Sequence, residues 1–176
     1  HRLLRSAVPA EVASAPLPLV SAEGGRKSPR LMQEGIVPRM DQAPTLEVGA
    51  KAEASLVVQE SDTARAMSLD AKDDFPPVFA TTRMIGLMEI AASRLMQPLL
   101  RAGQLSVGVG VNVRHTAATP VGGAARAVAT FLGMEGKLYR FRVEAFDEGG
   151  PIGEGEHTRA IIATARLIEG ASKRRP

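Results

Sequence analysis

One stretch of this sequence, from about Arg83 to Leu100, can form a long helix, and nearly everything after it reads as strand. The stretch is mostly apolar. Thr81 or Thr82 is placed to cap its start, Pro98 loosens its last turn and Gly103 ends it. Four strand-like runs follow, Leu105 to His115, Ala124 to Met134, Leu138 to Phe146 and Ile152 to Ile168, parted by Gly- and Pro-bearing turns. One more strand, Gly49 to Gln59, precedes the helix across a loop that Pro76 and Pro77 hold extended. A lone helix among antiparallel strands buries its apolar stripe inside the curve of the sheet. The expected class is therefore α+β, a curved antiparallel sheet wrapped around one long central helix.

The 176 residues suffice for one domain with a sizeable core and are too few for two of ordinary size. The expected organisation is a disordered or non-native extension over residues 1–43, a folded domain over 44–169 and a basic tail over 170–176. Five prolines and no sustained period mark the first 40 residues, where Met40 is a candidate start; an organelle-targeting peptide is disfavoured there by Glu11, Glu23 and Glu34. The net charge of +3 belongs to the ends: residues 1–39 hold six Lys/Arg against three Asp/Glu, and Lys173 to Arg175 add three positives. With one Tyr, five Phe and no Trp to stack on bases, a nucleic-acid partner is not expected. No run is long enough to span a bilayer, so no membrane partner is expected either. The lack of cysteine excludes disulfides and thiolate metal sites and agrees with a cytoplasmic setting.

Two residues stand out as chemistry. Glu89 is the one acid in the apolar helix, and His115 closes a valine-rich strand; brought together beside an apolar wall, a carboxylate and an imidazole serve acid, base or nucleophilic work. At about 100° per residue, Glu89 falls at the edge of a polar arc with Arg83, Ser93 and Gln97, which on periodicity alone favours a partly solvated surface glutamate, while its neighbours Ile85, Met88, Ala92 and Met96 suggest a half-dry carboxyl. His115 shares strand parity with Val107, Val109, Val111 and Val113 and is expected to face inward, as a core histidine or as a catalyst. That parity puts Gly108 and Gly110 on the opposite face, either to admit a close neighbour or to present N–H groups to a ligand oxygen. His157 and Arg159 share one face of the last strand. The arginine there either pairs with Glu144 or another acid, or forks onto a carbonyl or phosphate. Phe75 and Phe79 read as core, and Thr81 as a helix cap.

Four segments together resemble the fluoroacetyl-CoA thioesterases, a branch of the hotdog-fold thioesterases. They are Phe75-Pro76-Pro77-Val78-Phe79-Ala80-Thr81, Met84-Ile85-Gly86-Leu87-Met88-Glu89, His115-Thr116-Ala117-Ala118-Thr119-Pro120 and Gly155-Glu156-His157-Thr158-Arg159-Ala160. Their order and spacing are kept over roughly Leu46 to Ile168. The resemblance implies a hotdog domain, a homodimer with active sites at the subunit interface, and hydrolysis of an acyl-CoA thioester without cofactor or metal. It places catalytic roles on Thr81, Glu89 and His115 and substrate contacts on Phe75, Gly108 and Arg159.

In those roles Glu89 acts as nucleophile, through a mixed anhydride, or as the base for water, and the sequence leaves both open. His115 shuttles the proton, Thr81 orients the carboxylate or acyl group, and the Gly108 N–H holds the carbonyl oxygen. The family's lid uses two phenylalanines. Phe75 matches the second, Lys72 stands at the first, and Arg83 replaces an apolar residue nearby, which points to a short or polar acyl group in a wetter pocket. An acyl-CoA binding or sensing module without turnover is the alternative. A hotdog hydratase is disfavoured because no Asp/His pair lies near His115.

Overall fold

A computed structural model describes residues 44–175, so the expectations for residues 1–43 lie outside the described part. The elements are β1 (Lys51–Val57), α1 (Thr81–Met96), β2 (Gln104–His115), β3 (Ala124–Glu135), β4 (Leu138–Asp147), β5 (Gly150–Ala163) and α2 (Thr164–Ser172). The five strands make one antiparallel sheet in the order β1-β3-β4-β5-β2, with α1 against it. The expected α+β class, one long helix wrapped by an antiparallel sheet, is what the chain adopts.

The packing follows from side-chain size. Helix α1 buries Met84, Leu87, Met88, Ala91, Ala92, Leu95 and Met96, a stripe at helical spacing that faces the sheet. Opposite it the sheet is lined with small residues, Ala125, Ala127, Ala129 and Ala145, all buried. At Gly153 an added Cβ would stand 2.6 Å from the Met84 Sδ, so the helix rests where a side chain is missing. Phe131 and Phe141 fill the remaining space, their rings 5.6 Å apart. Each buried Met or Leu of the stripe contributes about 1.5–3 kcal/mol. The outer face of β4 and β5 is charged instead: Arg140 pairs with Glu135 and Glu156, and Arg142 with Glu144 and Glu154.

Several local features differ from the sequence reading. The helix starts at Thr81, so the cap position falls on Ala80, which has no polar side chain to cap with, and the Thr81 hydroxyl bonds His115 instead. Pro98 sits in a 3-10 turn, Gln97–Leu99, that continues α1. The first strand is shorter than Gly49 to Gln59. The last strand stops at Ala163, where the chain turns into α2; the apolar residues to Ile168 belong to that helix. In β2 one extra residue, Val109, falls between the pairs Gly108↔Arg159 and Gly110↔Thr158, a β-bulge.

Candidate active site

Two groups of polar side chains lie along α1. In the first, Thr81 Oγ1 and His115 Nδ1 are hydrogen-bonded at 2.9 Å, joining the first turn of the helix to the end of β2. The His115 Nε2 is buried and has no hydrogen-bond partner. Both residues line a cleft of about 340 Å3, together with Pro76, Val78, Phe79 and Thr116 to Ala118. The wall after β2 is fastened down: Thr116 N–H donates to Ile152 O at 2.7 Å, Phe79 N–H to Thr119 O at 2.9 Å, and the buried Thr119 hydroxyl to Asp147 at 2.8 Å. A cleft bordered by a histidine that keeps one ring nitrogen unpaired suits proton transfer.

The second group surrounds Glu89, about two turns further along the helix. The Glu89 side chain is 42% exposed, with Oε1 3.7 Å from His157 Nε2 and 3.9 Å from Arg159 Nη1. Arg159 is 6% exposed, a buried cation whose donors are all engaged by nearby groups. It donates to Ser106 O at 2.9 Å, to Ser106 Oγ, and to the backbone carbonyl of Glu89 at 3.4 Å. Its Nη1 also donates to His157 Nε2 at 3.2 Å. His157 in turn donates from Nδ1 to the Gly110 carbonyl at 2.8 Å, which sets the tautomer. Burial holds the His157 imidazole below its ordinary pKa and Arg159 adds to this, against the pull of Gly110 and Glu89. The ring is therefore neutral and its Nε2 lone pair receives the arginine. Gly108 completes the group: a Cβ there would overlap the Glu89 carboxylate.

Of the residues singled out from sequence, the structure brings Thr81 to His115, and Glu89 to Gly108 and Arg159. Within one chain it does not join the two groups; the ion pairs of Glu89 among the described residues are with His157 and Arg159. Simple strand parity misplaced Gly108. The bulge at Val109 interrupts the alternation, so Gly108 and His115 both face the helix although they are seven residues apart. Arg159 pairs with Glu89 and not with Glu144, which is held by Arg142. Phe79 is core, but Phe75 is 44% exposed beside the cleft. Arg83 is anchored on the buried Asp62, with Nε 2.8 Å from Oδ1. Burial of Asp62 pushes its pKa up, but the Gln59 N–H and Arg83 outweigh that and hold it below the usual carboxylate value. His157 is the site member that the sequence reading left without a role; its shared face with Arg159 was the available signal.

One long helix packed against an antiparallel sheet, with an acid, a histidine and an arginine meeting on its surface, is the architecture of the hotdog-fold thioesterases. Residues 58–165 match the family of fluoroacetyl-CoA-specific thioesterases (FlK), and the chain belongs to that family. It is 40% identical over 119 residues to the fluoroacetyl-CoA thioesterase of Streptantibioticus cattleyicolor, covering 66% of this chain and 86% of that one. Among solved structures, fluoroacetyl-CoA thioesterase FlK superposes with a TM-score of 0.72 at 36% identity, over 76% of this chain and 100% of that one. A thioesterase superfamily member from Thermus thermophilus gives 0.66 at 29% identity, over 73% of this chain and 93% of that one.

Proposed function

We propose that this thioesterase hydrolyses a short or polar acyl-CoA in a site shared by two copies of the chain, Thr81 and His115 from one and Glu89, Gly108 and Arg159 from the other. The observation that carries this is the division of the polar residues into two groups, with β2 running between them as a sheet edge. Among the described residues strand β2 pairs only with β5, and Val109 and Val111 on it are 55% and 47% exposed. Such an edge is a template for another strand. If β2 pairs antiparallel with its own copy about Val111, His115 lies opposite Val107 of the partner subunit, one residue from Gly108 of the partner subunit. Two such sites then form, related by the two-fold axis.

In that site the thioester carbonyl oxygen lies at the Gly108 N–H, and Arg159 stabilises the charge that develops there. Glu89 either takes a proton from water as the water adds to the carbonyl carbon, or adds itself, giving a mixed anhydride that water then cleaves. In both routes the C–S bond breaks, the thiolate leaves as CoA and is protonated, and the acid is released. His115 relays the proton, held by Thr81. Single turnover in 18O water reveals the anhydride route where water adds at the Glu89 carbonyl, because label then stays in the Glu89 carboxyl and the released acid carries an oxygen from Glu89 instead. Lys72 and the exposed Phe75 make a lid that is open to water, which supports unfluorinated short acyl groups as substrates. We assign the protein to the cytoplasm on the strength of that substrate.

The test is thiol release from a panel of short acyl-CoAs, followed by subunit complementation. Thr81→Val and Glu89→Ala chains are each nearly inactive alone. Mixed and re-paired, half the dimers carry one intact site, so about a quarter of the wild-type activity returns. No recovery in demonstrably mixed dimers removes the shared site; no release from any acyl-CoA removes the substrate assignment.

A further inference from the structure

Helix α2 and the sheet end beneath it form a groove of about 850 Å3 that the reaction leaves unused. Three cations border it: Arg166 and Arg174 from α2 and the turn after it, and Lys137 from the β3–β4 turn. Among the described residues none of the three is in an ion pair. The nearby acid, Glu169, is already taken by Lys173 at 2.6 Å. Arg166 and Gly170 are four apart and share one face of α2, Arg174 follows in the turn just beyond the helix, and around Gly170 the space is open. Ile161 and Leu167 give the groove an apolar wall. Unpaired cations around an apolar surface, in a space larger than a single small anion requires, match a ligand with a flat ring and several phosphates.

The groove also lies in line with the candidate site. Strand β5 runs from Arg159 to Ala163 and passes directly into α2, whose Thr164 N–H donates to the Gly103 carbonyl at the start of β2. The four residue-to-residue steps from Arg159 to Ala163 span about 13 Å, less than the reach of an extended pantetheine arm. The family match ends at residue 165, so most of α2 lies outside it. We infer that this groove holds the 3′-phospho-ADP end of CoA, with Arg166, Arg174 and Lys137 on its phosphates and Ile161 and Leu167 against the adenine. This rests on the acyl-CoA assignment above.

The test compares acetyl-CoA with acetyl-pantetheine, which share acyl group and arm but not the nucleotide. In the Arg166→Ala/Arg174→Ala chain, KM for acetyl-CoA rises about tenfold for each arginine lost, while kcat and both constants for acetyl-pantetheine stay as in the wild type. Unchanged constants for acetyl-CoA, or equal losses on the two thioesters, overturn the inference. Calorimetric titration with 3′,5′-ADP judges the groove apart from the chemistry. Wild-type binding that the double variant loses supports it even where neither thioester is hydrolysed. Absence of binding, or binding no tighter than that of inorganic phosphate, overturns it.

Discussion

Thr81 and Glu89 stand on the same helix about two turns apart, and their surroundings are opposites. Thr81 meets His115 beside an open cleft, where the histidine keeps one ring nitrogen unbonded. Glu89 lies against a buried arginine, a neutral histidine and a glycine whose missing side chain makes room for the carboxylate. One end is arranged for a proton to move, the other for charge to stay in place. A thioester needs both, since its attack builds charge on oxygen while a proton passes from the attacking water to the products.

The contrast can be broken most sharply at Glu89. Replacing it with alanine is expected to lower kcat/KM by roughly 10³–10⁴-fold with little change in melting temperature; near-normal turnover would remove the carboxylate from the reaction. Next comes Gly108→Ala, where the new methyl group displaces the carboxylate, with an expected loss of about 10²–10³-fold in kcat and a retained fold by circular dichroism. At the other end, Thr81→Val and His115→Ala should each cost about 10²-fold, and the double variant little more than either alone, because the pair acts as one unit.

Smaller effects sharpen the electrostatic side. His157 has its folded pKa depressed below the ordinary 6.5. Its contribution to stability is complete above pH 6.5 and declines as the pH falls below that value towards the folded pKa, because the unfolded chain takes up the proton first. Melting temperature followed through this window should fall in the wild type and flatten in His157→Phe. The smallest change is expected from Arg83→Leu, which leaves the buried Asp62 carboxylate without its cation and should cost about 1–2 kcal/mol in chemical denaturation, with hydrolysis kept.

Much of this layout is legible in the sequence, and its gaps have identifiable causes. Strands β2, β3 and β4 announce themselves through glycine and proline turns, and the apolar stripe of α1 reveals a buried helix. The bulge at Val109 leaves no such mark: one valine among alternating valines and glycines changes the strand's facing without changing its composition. Thr81 has the chemistry of a cap, and only the position of His115 in space shows why its hydroxyl serves a different bond. The end of β5 was hidden for a related reason, since Ile161 to Ile168 suits either a strand or an amphipathic helix. Family resemblance pointed to the candidate site residues, and it carries no information on how Thr81 and His115 stand in space relative to Glu89.

The half-paired edge of β2 has a consequence beyond geometry. If each working site draws on two chains, output depends on how often chains meet, and it scales with the square of their amount when copies are scarce. Dilution would then silence the enzyme while leaving every chain folded, and a cell could set its hydrolytic capacity steeply by modest changes in synthesis.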